Sequence, residues 1–356
     1  MRSLGAQVRR IYTIVRKEVL VIPSRVILLV FCILVLTLPT FFPDPYLLRI
    51  LTLASIFAIF AASWDLLSGF TGQVNFGHAL FFGVSAYCAA LLNLHLKLPV
   101  WATVPLGSIT AVATGLIVGI PCLRLKGTYL ALTTLSFPII LMGIVFAAPD
   151  FTGGELGVSG LSRLASTRVG EYYVCTLAML ASGFIMWKIT DSRTGIIFHA
   201  IREDELAVRA AGINTTRYKI LAFCLSGLFA GLAGSLYAHL MRIAGPSTLE
   251  VSLSFQAVIW AVFGGMVSIY GPMAAVFILF PLLEILRVIP QLRNLAFAFV
   301  ILVILLYMPE GLITWARDKM ETVCPRCKVR NYIRRKQCRV CEASLHATIP
   351  GKRSPA

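Results

Sequence analysis

The sequence predicts an all-α polytopic membrane protein of about ten transmembrane helices, with a helical connection projecting from one face and a small cysteine-rich module near its C-terminal end. Three observations carry that reading. Of 356 residues, 58% are apolar and 13% charged, with a mean hydropathy of +0.83, whereas a soluble domain averages about 45–50% apolar and about 25% charged. Uncharged stretches long enough for a helical crossing recur along the chain. Beyond the last of them, two C-x-x-C pairs sit in a basic segment. This balance excludes a water-soluble globule and a disordered chain alike.

The first 25 residues form a basic N-terminus with six Lys or Arg against Glu18. The apolar run 26–42 leads into Pro43-Asp44-Pro45 without a small-residue cleavage site, so it reads as a retained anchor helix rather than a signal peptide. A crossing needs about 20 largely apolar residues, which stretches 98–123, 127–149 and 220–241 supply alone. Stretches 26–43, 172–187 and 294–309 are shorter, but their bounding charges can snorkel to the interface. Residues 46–48 and 50–64 join across Arg49 as a second span, and 73–96 make a third. The uncharged run 251–283 has 33 residues, too many for one upright crossing, and Gly264-Gly265 and Gly271-Pro272 interrupt it. It predicts two helices reaching about residue 289, with Glu284 and Arg287 near the far end.

The tail 317–356 carries eleven basic and three acidic residues, so the two ends hold +5 and +8 of the net +16. The division is therefore 1–25, a basic cytoplasmic N-terminus; 26–316, the transmembrane domain; and 317–356, a basic cytoplasmic tail with the cysteine module at 324–341. Basic segments stay on the cytoplasmic side. Ten crossings of a cell (inner or plasma) membrane then place both termini, Arg124/Lys126 and the connection 193–219 inside, and loops 150–171 and 242–250 outside. The charge suits anionic lipid headgroups or an acidic partner; no nucleic acid is required to explain it.

The longest polar connection, 191–219, has the pattern of a short stiff helix. Ile197, Ala200 and Ile201 give an apolar side, and Glu205 and Arg209 are an i,i+4 pair in the favourable order. Gly212 suits a left-handed cap, and Asn214, Thr215 or Thr216 the start of the next helix at Tyr218. Such a helix either lies in the headgroup layer or docks a soluble partner.

Gly69, Gly72, Gly77 and Gly83 punctuate an apolar segment that also holds Gln73, Asn75, His78 and Ser85. Polar groups at membrane depth are costly unless they face protein or water, so this stretch belongs on an interior surface. It is either pore-lining, making Gly72, Gln73, Asn75, Gly77 and His78 a candidate translocation path, or a tight turn followed by close helix packing. His78 by itself reads as hydrogen-bonded packing rather than metal or proton chemistry. Asp65 would hold a coupling ion, or simply cap or snorkel near the Gly69 bend. Gly115/Gly119 and Gly227/Gly231 are small-xxx-small stripes that imply tight helix contact and no chemistry. Thr152-Gly153-Gly154 and Gly157 give the outer loop a flexible surface.

Cys32, Cys88, Cys122, Cys175 and Cys224 lie in apolar spans, where a thiol behaves as a small hydrophobe. Cys324, Cys327, Cys338 and Cys341 are spaced C-x2-C-x10-C-x2-C. Each C-x-x-C turn points two thiolates inward, and two such turns across a hairpin build the four-sulfur cage that zinc prefers. The zinc would be structural, since four sulfurs leave no open position. A cytosolic location disfavours the disulfide alternative, and iron is the main competing metal. Arg326, Lys328 and Arg339 would offset the negative charge of a four-thiolate site.

Residues 191–219, DSRTGIIFHAIREDELAVRAAGINTTRYK, resemble the cytoplasmic coupling segment of ABC-importer permeases of the branched-chain amino-acid (LivH/LivM) family. LLSGFTGQVNFGHALFFGVSAY at 66–87, LRLKGTYLALTTL at 123–135 and the GG…YGP of 264–272 agree, so the resemblance runs over about 46–312. The stretch 124–127 is more similar to LivM than to LivH. The resemblance implies a permease that forms a heterodimeric pore with a LivH-like subunit, sits on two ABC ATPase subunits and receives branched-chain or related amino acids from an extracytoplasmic solute-binding protein. It assigns the ATPase contact to Ile201, Arg202, Glu203, Glu205, Ala207 and Gly212, and makes this connection a coupling helix. Importer permeases often carry Glu-Ala-Ala followed by Gly here; Glu205, Ala207 and Gly212 are spaced slightly differently.

The chain lacks a G-x-x-x-x-G-K-[ST] loop, so its energy would come from a partner and no enzymatic role of its own is expected. A rigid helix in a partner's cleft can turn nucleotide-driven closure into movement of the flanking spans. The alternative is an ion-coupled secondary carrier of a small polar solute, for which the chain offers mainly Asp65 and Glu284 as titratable groups. A membrane metalloenzyme would need a membrane cluster of His, Asp and Glu ligands. The solute itself, a leucine-type amino acid, urea or a short amide, stays open. The zinc-ribbon-like tail is an addition to the family pattern.

Overall fold

A computed structural model describes residues 23–41, 44–122, 125 and 127–285, and residues 295, 299, 302, 306, 311, 315, 319–327, 330–332, 337, 338, 340, 341 and 343–345. They fall into two compact units, one within residues 38–312 and the other combining residues before 38 with those after 312.

The larger unit is helical. In order come α2 (Pro45–Trp64), α3 (Ala79–His95), α4 (Val100–Cys122), α5 (Thr128–Ala147), α6 (Arg168–Thr190), α7 (Arg193–Glu203), α8 (Glu205–Ala210), α9 (Thr215–Met241), α10 (Val251–Gly264) and α11 (Tyr270–Ile285). A further helix, α1 (Pro23–Phe41), precedes them. Five helices are long and apolar enough to cross a membrane: Pro45–Gly69, Val100–Cys122, Thr128–Ala147, Arg168–Thr190 and Thr215–Met241. Leu29–Thr40, Ala79–His95, Val251–Gly264 and Tyr270–Glu284 are apolar but shorter. The expected crossing at 294–309 lies outside the continuously described residues.

Helix α2 is the axis of the bundle. Asp44 accepts the Tyr46 N–H and Pro45 opens the helix, which fixes its start. Its most apolar window is 100% buried, against 28% for α5, so α2 is enclosed by protein while α5 lies at the periphery. It continues without interruption into a π-helical turn, Asp65–Gly69.

The glycine stripes make the close contacts the sequence implies. A Cβ on Gly234 of α9 would lie 2.1 Å from the Phe82 carbonyl oxygen of α3, and one on Gly231 would lie 2.5 Å from Ala111 Cβ of α4. Gly115 and Gly119 of α4 face Phe223 of α9 less tightly, a Cβ lying 3.3 and 3.4 Å from its nearest atom. Small residues let the backbones approach, and dispersion contacts then hold helices that share an apolar solvent.

Three features depart from the sequence reading. The span expected at 73–96 is helical only from Ala79; residues 72–78 form a non-helical return, entered through Gly72 at φ +71°. The single helix expected in 191–219 is two, because Asp204 turns extended (φ −153°, ψ 99°) and its carboxylate accepts the Leu206 and Ala207 N–H groups to start α8. The loops after α5 and α9 are joined by a two-stranded sheet, with β1 (Val158–Ser159) pairing antiparallel to β2 (Ile243–Ala244). The expected break at Gly264-Gly265 is present, and α10 and α11 meet there: a Cβ on Gly264 would lie 2.2 Å from the Gly271 carbonyl oxygen.

In the smaller unit, β3 (Glu321–Val323) and β4 (Arg330–Tyr332) form an antiparallel hairpin.

Candidate functional site

The return at 72–78 is built on hydrogen bonds rather than on a helix. Trp64 Nε1 donates to the Asn75 carbonyl at 2.6 Å, Ser68 Oγ donates to the Gln73 carbonyl at 2.9 Å, and Asn75 Oδ1 accepts the Gly77 N–H at 2.9 Å. The Phe76 N–H reaches Thr134 Oγ1 of α5 and the Ala79 N–H reaches Ser254 Oγ of α10. Gly77 must be glycine for packing, since a Cβ there would lie 1.9 Å from the Thr134 carbonyl oxygen. These bonds satisfy a backbone that would otherwise be stranded in an apolar medium.

Gln73, Asn75 and His78 are all buried. His78 Nε2 lies 2.8 Å from Ser63 Oγ, whose hydroxyl donates to the Phe60 carbonyl at 2.7 Å, so Nε2 carries the proton. The ring also packs against Phe60 and Phe81. His78 therefore makes one side-chain hydrogen bond and two ring contacts in this structure. Gln73 Oε1, Asn75 Nδ2 and His78 Nδ1 have no hydrogen-bond partner among the described residues.

Asp65 neither caps a helix with its side chain nor reaches the interface. Fully buried, it accepts the Val267 N–H at 2.9 Å on Oδ1 and the Ser268 N–H at 3.0 Å on Oδ2, both in the turn between α10 and α11. Val267 has φ +65°, a conformation that costs a β-branched residue on the order of 1–3 kcal/mol and persists only when its surroundings impose it.

The connection α7–α8 sorts its residues into two sets. Ile201 is buried beside Phe198, and Glu205 turns inward. The Glu205 carboxylate pairs with Lys219 at 2.7 Å and with Arg209, and accepts from Thr215. Glu205 thus ties α8 to α9, while Ile201 is buried. Arg202, Glu203, Ala207 and Gly212 are exposed, as is Leu206, 69% open and unmarked by sequence reasoning. Gly212 has φ +80° and ends α8, and Asn214 Oδ1 accepts the Arg217 N–H at the start of α9, both as the sequence predicts. Arg202 also reaches back to the bend: its Nη1 donates to the Gly69 carbonyl at 2.7 Å, and a Cβ on Gly72 would lie 3.3 Å from Arg202 Cγ. Two residue sets that looked separate in sequence, the coupling segment and the glycine-rich bend, are therefore in contact.

At the end of the bundle marked by β1 and β2, a cavity of about 320 Å³ is lined by Phe146, Leu156, Tyr237 and Ile243, with Glu155, Ser247 and Thr248 as its polar groups.

In the smaller unit, Cys324, Cys327, Cys338 and Cys341 bring their sulfurs within 4.8 Å of one another. Cys324 and Cys341 are 3.5 Å apart and Cys327 and Cys338 3.4 Å, with neither pair joined by a disulfide. A tetrahedral site with Zn–S near 2.3 Å has sulfur edges of about 3.8 Å, so the cluster fits with small adjustment. Backbone N–H groups of Cys341 and then Val340 hold the Cys338 thiol down at about 6, and the Cys327 N–H lowers Cys324, which favours the thiolate a metal needs. Asn331 Nδ2 donates to Cys338 Sγ at 3.5 Å.

A multi-helix membrane bundle with a buried polar bend and a helical bracket at one end has the architecture of a multi-pass transport permease. Residues 46–308 match the family described as branched-chain amino acid transport system / permease component, and the chain belongs to that family. It is 29% identical over 301 residues to the high-affinity branched-chain amino acid transport system permease protein LivM of Salmonella typhimurium, covering 76% of this chain and 71% of that one. LivH of the same organism is 25% identical over 76% of this chain and 95% of its own. The ribose import permease protein RbsC of Escherichia coli K12 is 28% identical over 68% of this chain and 76% of its own. No solved structure matches the chain. The cysteine cluster lies outside the matched residues.

Proposed function

We propose that the chain is the LivM-like permease subunit of an ATP-driven ABC importer for branched-chain or related amino acids. It forms the translocation path with a LivH-like partner, is driven by two ABC ATPase subunits and receives solute from an extracytoplasmic binding protein. The cytoplasmic N-terminus 1–25, the permease domain 26–316 and the tail 317–356 are the working divisions, with both termini in the cytosol.

The observation that carries this reading is the bracket α7–α8. Glu205 anchors it to α9, while Arg202, Glu203, Leu206, Ala207 and Gly212 are exposed. A large exposed apolar side chain between charged neighbours suits the cleft of a soluble ATPase, and an anchored bracket transmits force that a loose loop would absorb. Leu206→Asp combined with Ala207→Arg should abolish capture of the ATPases and ATP-dependent uptake while leaving membrane insertion intact. Wild-type uptake in that variant refutes the assignment, and uptake without any ATPase subunit favours an ion-coupled carrier.

Likeness to LivM and LivH over most of the membrane body supports an amino-acid solute. The cavity at the opposite end suits an aliphatic side chain against Phe146, Leu156 and Ile243 with an ammonium towards Glu155. The unpartnered polar atoms of Gln73, Asn75 and His78 support a wet interior surface along the translocation path, with Gly72 and Gly77 leaving room for its backbone.

In the tail, Cys324, Cys327, Cys338 and Cys341 would hold a structural zinc that ties the β3–β4 hairpin to residues 337–344. Metal analysis of the full-length chain should find about one zinc per chain, lost when Cys338 and Cys341 become serine; an equal metal content in that variant refutes the site.

A further inference from the structure

The π-helical turn Asp65–Gly69 is gripped from two sides by segments far from it in sequence. On one side Arg202 of α7 donates to the Gly69 carbonyl at 2.7 Å, and the His199 ring of the same helix meets Phe70 edge-on at 5.1 Å. On the other, both carboxylate oxygens of Asp65 are spent on the N–H groups of Val267 and Ser268. Inside that turn Ser268 Oγ donates to the Gly265 carbonyl at 2.7 Å, but no side chain within it holds the Val267 N–H in its left-handed conformation; Asp65 does. The two grips are mechanically close. A Cβ on Gly69 would lie 1.9 Å from Asp65 Oδ1, so the carboxylate rests directly on the residue whose carbonyl Arg202 holds.

A π-helical turn carries one residue more than the α-helical ladder accommodates, and such turns shift register at functional sites more readily than a regular helix does. A packed element with two discrete arrangements is what converts a small displacement at one site into a defined movement at another. A push on α7 would act on Gly69, move the Asp65 carboxylate seated against it, and release or reseat a strained turn between two apolar helices.

We propose that Asp65 is a positioning residue for transport: it latches the α10–α11 turn to the bend held by Arg202, so that movement of the α7–α8 bracket is relayed to α10 and α11. This rests on the importer reading given above, and it adds a route across the bundle which that reading does not supply.

The test uses the full chain assembled with its partner permease, ATPases and binding protein, with uptake and ATP hydrolysis measured on the same vesicles. Asp65→Asn should lower uptake per ATP hydrolysed about tenfold. Adding Val267→Gly should not restore it, because glycine lets the turn keep its positive φ but makes no bond to the bend. ATP hydrolysis that persists while uptake falls separates a lost relay from a general loss of fold. Wild-type coupling in Asp65→Asn, or coupling restored by adding Val267→Gly, overturns the proposal.

A second readout needs no ATP. In a Ser268→Cys chain the thiol should be protected from a membrane-permeant reagent, and Arg202→Ala should expose it; unchanged protection overturns the relay even if Asp65→Asn fails to insert. If the wild-type assembly shows no ATP-dependent uptake while the thiol responds to Arg202→Ala, the importer reading fails and the latch stands.

Discussion

The contact of α9 with α3 and α4 and the junction around Asp65 solve the problem of holding helices together in opposite ways. In the first, glycines and small residues bring backbones so close that no side chain fits between them, as at Gly234 over the Phe82 carbonyl. Such a contact cannot shift without opening a void. In the second, a buried carboxylate, a π-helical turn and a β-branched residue at positive φ are held by a few hydrogen bonds. The difference teaches where a permease of this build keeps its frame and where it keeps its moving part: the frame is van der Waals contact, the moving part is a strained hydrogen-bonded joint.

The comparison breaks most visibly at Gly234. Gly234→Leu places atoms against backbone that has no rotamer to yield, and should destabilise the bundle by about 3 kcal/mol or more, read as a fall in the detergent thermal midpoint. Glu205→Gln keeps the shape of the bracket but removes the charge that holds Lys219, Arg209 and Thr215. A loss of about 2 kcal/mol, confined to α7–α8, should appear as faster amide exchange there with the bundle unchanged. Gly143→Ala sharpens the contrast from below. Among the described residues no atom lies within 4 Å of a Cβ built there, so the change should stay within about 0.5 kcal/mol, measured by the same thermal midpoint. A large effect at Gly143 together with a small one at Gly234 would mean the glycines of this chain are not contact residues at all.

What could be read from the sequence was what repeats or what is local. Uncharged stretches gave the long helices, and the small-xxx-small stripes gave their contacts. The Gly212 cap, the Asn214 start and the break at Gly264-Gly265 follow from the conformations those residues favour, and the spacing of four cysteines gave their cluster. The break at Asp204 was local too, but the i,i+4 pair Glu205/Arg209 masked it, because one favourable pair suits a single helix and two short ones equally well. Asp65 was legible only as an expensive residue needing a partner. Its partners are backbone N–H groups 202 and 203 positions away, which no side-chain pattern announces. The reach of Arg202 to Gly69 across 133 positions was hidden for the same reason. The inward turn of Ile201 and Glu205 depends on where α9 passes, which the periodicity of α7 alone does not fix.

The small sheet between β1 and β2 settles a matter of parity. Two loops that share backbone hydrogen bonds must emerge on one side of the bilayer, so the chain between Ser159 and Ile243 crosses an even number of times. If α6 and α9, both long and apolar enough to cross, are those passages, the α7–α8 bracket lies on the far side. One impermeant label on a residue introduced at Leu156 would therefore assign the sidedness of every segment from the first strand to the second, with no appeal to the distribution of charge.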